Sequence, residues 1–197
     1  MGLEFIGFIV FAISQVGTPG PANIALLAMG AAHGFKKSIP FVIGVAFGKQ
    51  IIIWPIGFGL MTIAEISPFS FNILKIISIF YIVWLAYKIA NLSLRNNKPR
   101  NQHPNFFTGL ILHPLNPKAW AMIVTAFSTF VNPETSTLEA TSLIAIGFLS
   151  CQLILHPIWC FGGEKLISIV SKRNQEKYVM LFLAFMAIIS IFFIIYP

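Results

Sequence analysis

The stretch "SQVGTPGPANIALL" (residues 14–27) decides how this chain is read. Two prolines and two glycines fall within its residues 17–21, inside an otherwise apolar run. In a helix interior each proline costs about 3 kcal/mol and each glycine about 1 kcal/mol relative to alanine. Either the run is not a helix, or it is a helix deliberately broken. Its surroundings choose between the two.

Those surroundings are apolar. Of 197 residues, 57% are hydrophobic and only 10% are charged, with a mean hydropathy of +0.83. A soluble domain carries about 25% charged residues, so this chain lacks the polar surface to coat a globule. Lipid is the expected solvent, and the length suits one domain, residues 1–197. The opening "MGLEFIGFIVF" lacks the positive start of a cleavable signal and reads as a retained first membrane segment. Cys151 and Cys160 sit in apolar surroundings and offer no disulfide framework.

A spanning helix needs about 20 mainly apolar residues. Six segments qualify: 3–32, 38–64, 69–92, 106–131, 142–163 and 178–196, the fifth closed by Gly162-Gly163. The loops after the first, third and fifth segments, with their flanks, hold Lys36, Lys37, Lys88, Arg95, Lys98, Arg100, Lys165, Lys172, Arg173 and Lys177. The opposite side holds Lys75 with Glu4, Glu65, Glu134 and Glu139. This asymmetry places the basic loops in the cytoplasm and both termini outside. The net charge of +7 is thereby a topology signal that also suits anionic lipid headgroups. It calls for no nucleic-acid partner.

The fourth segment contains a second break, "HPLNPKAW" (residues 113–120). Proline-interrupted segments in corresponding positions of two halves point to an inverted-repeat transporter whose site lies at the midplane. The expected fold is all-α, with six transmembrane helices in a 3+3 inverted repeat, halves about 1–97 and 98–197, and helices one and four broken. Proline clashes with the carbonyl four residues earlier and donates no N–H. Pro19 and Pro21 would free the carbonyls of Gln15 and Gly17, and Pro114 and Pro117 those of Leu110 and His113. Pro21 and Pro117 suit the first position of a restarted helix, with Asn116 capping the second. Each restart would aim unpaired amides and partial positive charge at the break, which attracts a carboxylate. The plainer alternative is a kink.

At these residues a family resemblance becomes visible. "GTPGPANIALLAMGAAHGFKKSIPFVIGVAFGK" resembles the N-terminal signature of the LysE/RhtB amino-acid exporters, with Pro19-Gly20-Pro21 followed by Gly30, Gly34, Gly44 and Gly48. "LNPKAWAMIVTAFSTFV" looks like their second signature, here Asn116-Pro117-Lys118. The resemblance spans nearly the whole chain. It implies a multi-pass permease of the cytoplasmic membrane that exports amino acids or similar small solutes, driven by the proton motive force. It implies no cofactor and no enzymatic step; the oligomeric state, a homo-oligomer included, stays open. One departure stands out: family members often carry an acidic residue after the last glycine, whereas Lys49 follows Gly48 here. The chain has no Asp, and none of its six Glu lies mid-span.

The candidate substrate-binding residues are Pro19, Gly20, Pro21, Asn23, Lys49, His113, Asn116, Pro117 and Lys118. Lys49 and Lys118 fall near mid-span, where a cation costs about 2.5–3.5 kcal/mol on insertion scales and marks function unless it snorkels or binds freed carbonyls. His113 and His156 are the other mid-span groups able to exchange protons near neutrality; both could equally be satisfied structural groups. His156 and Cys160, four apart, could be two soft-metal ligands, which keeps efflux of a metal cation as the alternative function. Gly30/Gly34 and Gly44/Gly48 are small-xxx-small pairs for close helix packing. An intramembrane enzyme finds no support: Ser150 and His156 lie six apart on different faces.

Overall fold

The computed structural model describes residues 3–60, 68–92, 104–170 and 175–195. They are helical almost throughout: α1 (Phe5–Gly17), α2 (Pro21–His33), α3 (Phe35–Pro55) running into a π turn (Ile56–Leu60), α4 (Pro68–Ala90), α5 (Phe106–Leu110), α6 (Pro117–Phe130), α7 (Thr137–Val170) and α8 (Glu176–Ile195). The one extended contact among the described residues is an antiparallel bridge between Leu3 and Val131. The basic loop at Arg95–Arg100, the pair Lys172-Arg173, Glu65 and the proposed boundary between halves lie outside the described residues.

The apolar segments reappear in order. Residues 3–32 become α1 and α2, joined at a 52° bend. The break at residues 17–21 is real, and Pro21 opens α2 as its first residue. The fourth segment splits into short α5, a turn at 111–115, and α6 with Pro117 first and Asn116 as its cap. Among the described residues, two helices are each long and apolar enough to cross a membrane, Phe35–Gly59 and Thr137–Val170, and the bent pair α1–α2 is so as one span. One boundary needs correction. Gly162-Gly163 does not end the fifth segment; α7 runs on to Val170, because Gly163 is a packing position. A Cβ there would strike the Leu27 carbonyl of α2.

The same device recurs where broken and continuous helices cross. A Cβ on Gly30 of α2 would collide with the Cys160 carbonyl of α7, and one on Gly48 of α3 with the Leu110 carbonyl of α5. Small residues let membrane helices approach until dispersion and Cα–H···O contacts hold them. Thus α2 rides on α7, α5 rides on α3, α3 crosses α7, and α4 pairs with α8.

Two apolar cores result. One gathers Leu26, Phe41, Val45, Ile89, Cys160 and Met180. The other gathers Phe8, Ile52, Ile56, Ile123, Ile144 and Phe148. Buried polar side chains interrupt both long helices between the cores: Lys49 between Val45 and Ile52 on α3, and Gln152 and His156 between Phe148 and Cys160 on α7. Meanwhile Ile6, Phe80, Phe107 and Ile154 are at least 65% exposed. An apolar exterior around a polar middle layer is what a lipid solvent selects.

Candidate substrate site at the helix break

The break between α1 and α2 is built by Asn23. Its side-chain amide donates to the Val16 carbonyl at 2.7 Å and the Thr18 carbonyl at 2.8 Å, while the Thr18 hydroxyl donates to Gln15 at 3.1 Å. Carbonyls left without helical partners where α1 ends would be costly in an apolar setting. The polar side chains one turn away supply substitutes. No side chain caps the opposite end of the break, where α2 starts behind Gly20 with its backbone extended. Because a helix leaves its first amides without intrahelical partners, α2 presents donors and partial positive charge to the break. The last turn of α1 presents carbonyls and partial negative charge.

At the second break the amides are already used, which corrects the expectation that both restarts stand open. Asn116 Oδ1 accepts from the Lys118 amide at 3.1 Å, its carbonyl accepts from Ala119 at 2.9 Å, and its own amide donates to the freed His113 carbonyl at 2.9 Å. Trp120 Nε1 donates to the Pro114 carbonyl at 3.0 Å. What this break contributes is a side chain. Lys118 reaches across to α1, donating from Nζ to the Thr18 hydroxyl at 2.7 Å, and it lies so near that a Cβ on Gly20 would stand 3.5 Å from Nζ.

The two breaks line one small, half-open pocket, about 20 Å³ as a cavity. Of the residues singled out in the sequence, Gly20, Asn23, Lys49, His113, Asn116 and Lys118 line it. Pro19, Pro21 and Pro117 do not; they shape the backbone that surrounds it. Gln15, Val16, Thr18, Ala22, Met122 and His156 complete the wall, and among the described residues no carboxylate joins them. Thr18 and Gln15 were legible only as neighbours of the freed carbonyls, and Gln152 left no signal in its apolar context.

Along one side of the pocket is a layer of unmet hydrogen-bonding capacity. Lys49 is fully buried, with Nζ 4.3 Å from the centroid of the Phe148 ring. His113 and His156 stack with centroids 5.8 Å apart, and the Gln152 amide nitrogen stands 2.9 Å from His113 Nε2. Lys49 Nζ, His113 Nδ1, His156 Nδ1 and Gln152 Oε1 are all buried without a hydrogen-bond partner among the described residues. Native proteins leave few such atoms, so their concentration beside a cavity marks a place for a polar guest. His156 and Cys160 part company here: His156 lines the pocket while Cys160 packs into the apolar core against α2. No group of three His, Cys, Asp or Glu among the described residues could hold a metal ion.

Comparison with known proteins places the chain. A "Cysteine/O-acetylserine efflux protein" of Salmonella paratyphi A is 33% identical over 147 residues, covering 75% of each chain. The protein of that name from Salmonella typhimurium is 32% identical over the same length and share. That from Escherichia coli O1:K1 is 26% identical over 174 residues, 88% of this chain and 89% of its own. No solved structure matches. The model of the LysE type translocators matches residues 13–196, both helix breaks included, and the chain belongs to that family of membrane transport proteins.

Proposed function

We propose that the protein exports α-amino acids across the cytoplasmic membrane, binding them in the pocket between the two helix breaks. One observation carries this reading: helix ends of opposite sign, α1's carbonyl end and α2's uncapped amide end, meet on a single pocket with Lys118 beside them. A zwitterion has the matching pattern. Its carboxylate goes to the α2 amides and the Lys118 ammonium, and its ammonium to the carbonyls of Val16 and Thr18, which keep a second lone pair beyond the Asn23 bond. Half-helix ends at broken segments are a recurrent solution for such ligands. The relatives' names, which speak of cysteine and O-acetylserine, favour the same substrate class.

The finer architecture belongs to this proposal. Six spans form two inverted halves: α1–α2, α3 and α4, then α5–α6, α7 and α8. Reciprocal packing supports it, since the broken helix of each half rides on the long helix of the other through glycine contacts. Export is driven by the proton motive force. Among the described residues the pocket has no carboxylate, so the coupling proton is assigned to its buried nitrogens, those of Lys49, His113 and His156.

Efflux from proteoliposomes tests the reading. Protein reconstituted with internal radiolabelled amino acids should release at least one of them faster than empty vesicles, and an imposed proton gradient should raise that rate. Retention of every amino acid under both conditions would refute it.

A further inference from the structure

The zwitterion accounts for one ammonium in the pocket and leaves another. Lys118 is half-buried and has a hydroxyl partner. Lys49 lines the same pocket from α3, fully buried, with the face of Phe148 against it and no hydrogen bond or acid among the described residues. An aromatic face offsets part of a desolvated cation's cost; it does not supply the anion that a buried ammonium requires. Nor do the neighbours. His113 and His156 add ring nitrogens, Gln152 an amide and Cys151 a free thiol, and none is a carboxylate.

We propose that Lys49 forms a second anion subsite and that the pocket selects amino acids with an acidic side chain. This rests on the reading that the break holds the α-carboxylate and α-ammonium. The side-chain carboxylate then points away from the break towards α3 and α7. There it accepts from Lys49 Nζ and from whichever of His113 and His156 turns an N–H towards it. Two ammonium groups and one set of α1 carbonyls match two carboxylates and one ammonium. A neutral amino acid would leave Lys49 buried and unpaired, and that asymmetry is the source of selectivity.

Isosteric pairs isolate the charge. L-aspartate against L-asparagine, and L-glutamate against L-glutamine, differ in side-chain charge at nearly constant size. Titration calorimetry on the purified full chain at neutral pH should show at least one acid binding tenfold or more tighter than its amide. In K49M and K49Q, each checked for folding by size exclusion and thermal unfolding, that ratio should collapse towards one. Amides binding as tightly as acids to the unmodified protein would overturn the proposal without any variant. So would a ratio that survives in a folded Lys49 variant. If the acids fail to bind while L-serine or L-alanine binds, this inference falls and the amino-acid reading stands; if no amino acid binds, both fall.

Discussion

Asn23 shows how much a single side chain carries here. Its amide answers the Val16 carbonyl of α1 and the Thr18 carbonyl just beyond it, so removing it leaves a buried acceptor without a donor. Such groups cost about 1–3 kcal/mol each. Asn23→Ala should lower the thermal unfolding midpoint of the purified protein and weaken substrate binding together. An unchanged midpoint would mean that water or rearrangement satisfies those carbonyls. Lys118 acts through charge. Lys118→Met should insert and fold but lose carboxylate-bearing substrates, whereas Lys118→Arg, which keeps the cation with altered reach, should retain part of the activity. Equal affinities for the unmodified protein and Lys118→Met would reduce Lys118 to a tether between the breaks. At this scale the sequence was informative where chemistry is local. Proline position predicts helix starts at Pro21 and Pro117, and both are found. It could not show that Asn116 spends its own break's amides, or that Lys118 reaches the other break, because those facts depend on how segments far apart in sequence meet.

Among the elements, the adjacent glycines of α7 make a controlled pair. A Cβ on Gly163 would strike the Leu27 carbonyl, while one on Gly162 would meet only the Leu27 side chain at 3.9 Å, an ordinary contact. Gly163→Ala should therefore destabilise the protein by about 1–3 kcal/mol as an overpacked contact does. Gly162→Ala should stay within about 0.5 kcal/mol, as substitutions away from such features do. Thermal unfolding of both variants checks the contrast. These two glycines look alike in the sequence, which suggested a helix end; only the crossing with α2 distinguishes them. The break itself calls for replacing Pro19-Gly20-Pro21 with three alanines. That change favours a continuous helix, and it should preserve membrane insertion while abolishing efflux. Full efflux by the triple variant would make the stretch a dispensable kink.

For the whole molecule, hydropathy revealed the helical, membrane-borne character, because a lipid solvent acts on composition directly. The pairing of α2 with α7 and of α5 with α3 had only the glycine spacing to announce it. The buried layer of Lys49, His113, Gln152 and His156 was half legible, since a lone Gln among apolar neighbours reads as nothing until its partners are in view. The proposed function requires an exported amino acid to sit between the breaks. Gln15 lines that pocket, and both native cysteines, Cys151 and Cys160, are buried, so the most direct measurement is the rate at which a maleimide modifies Gln15→Cys. Saturation with the amino acid that the protein exports fastest should slow that rate several-fold, and the protection should vanish when Lys118→Met is added. A modification rate that is the same with and without the amino acid would mean that no substrate sits between the breaks.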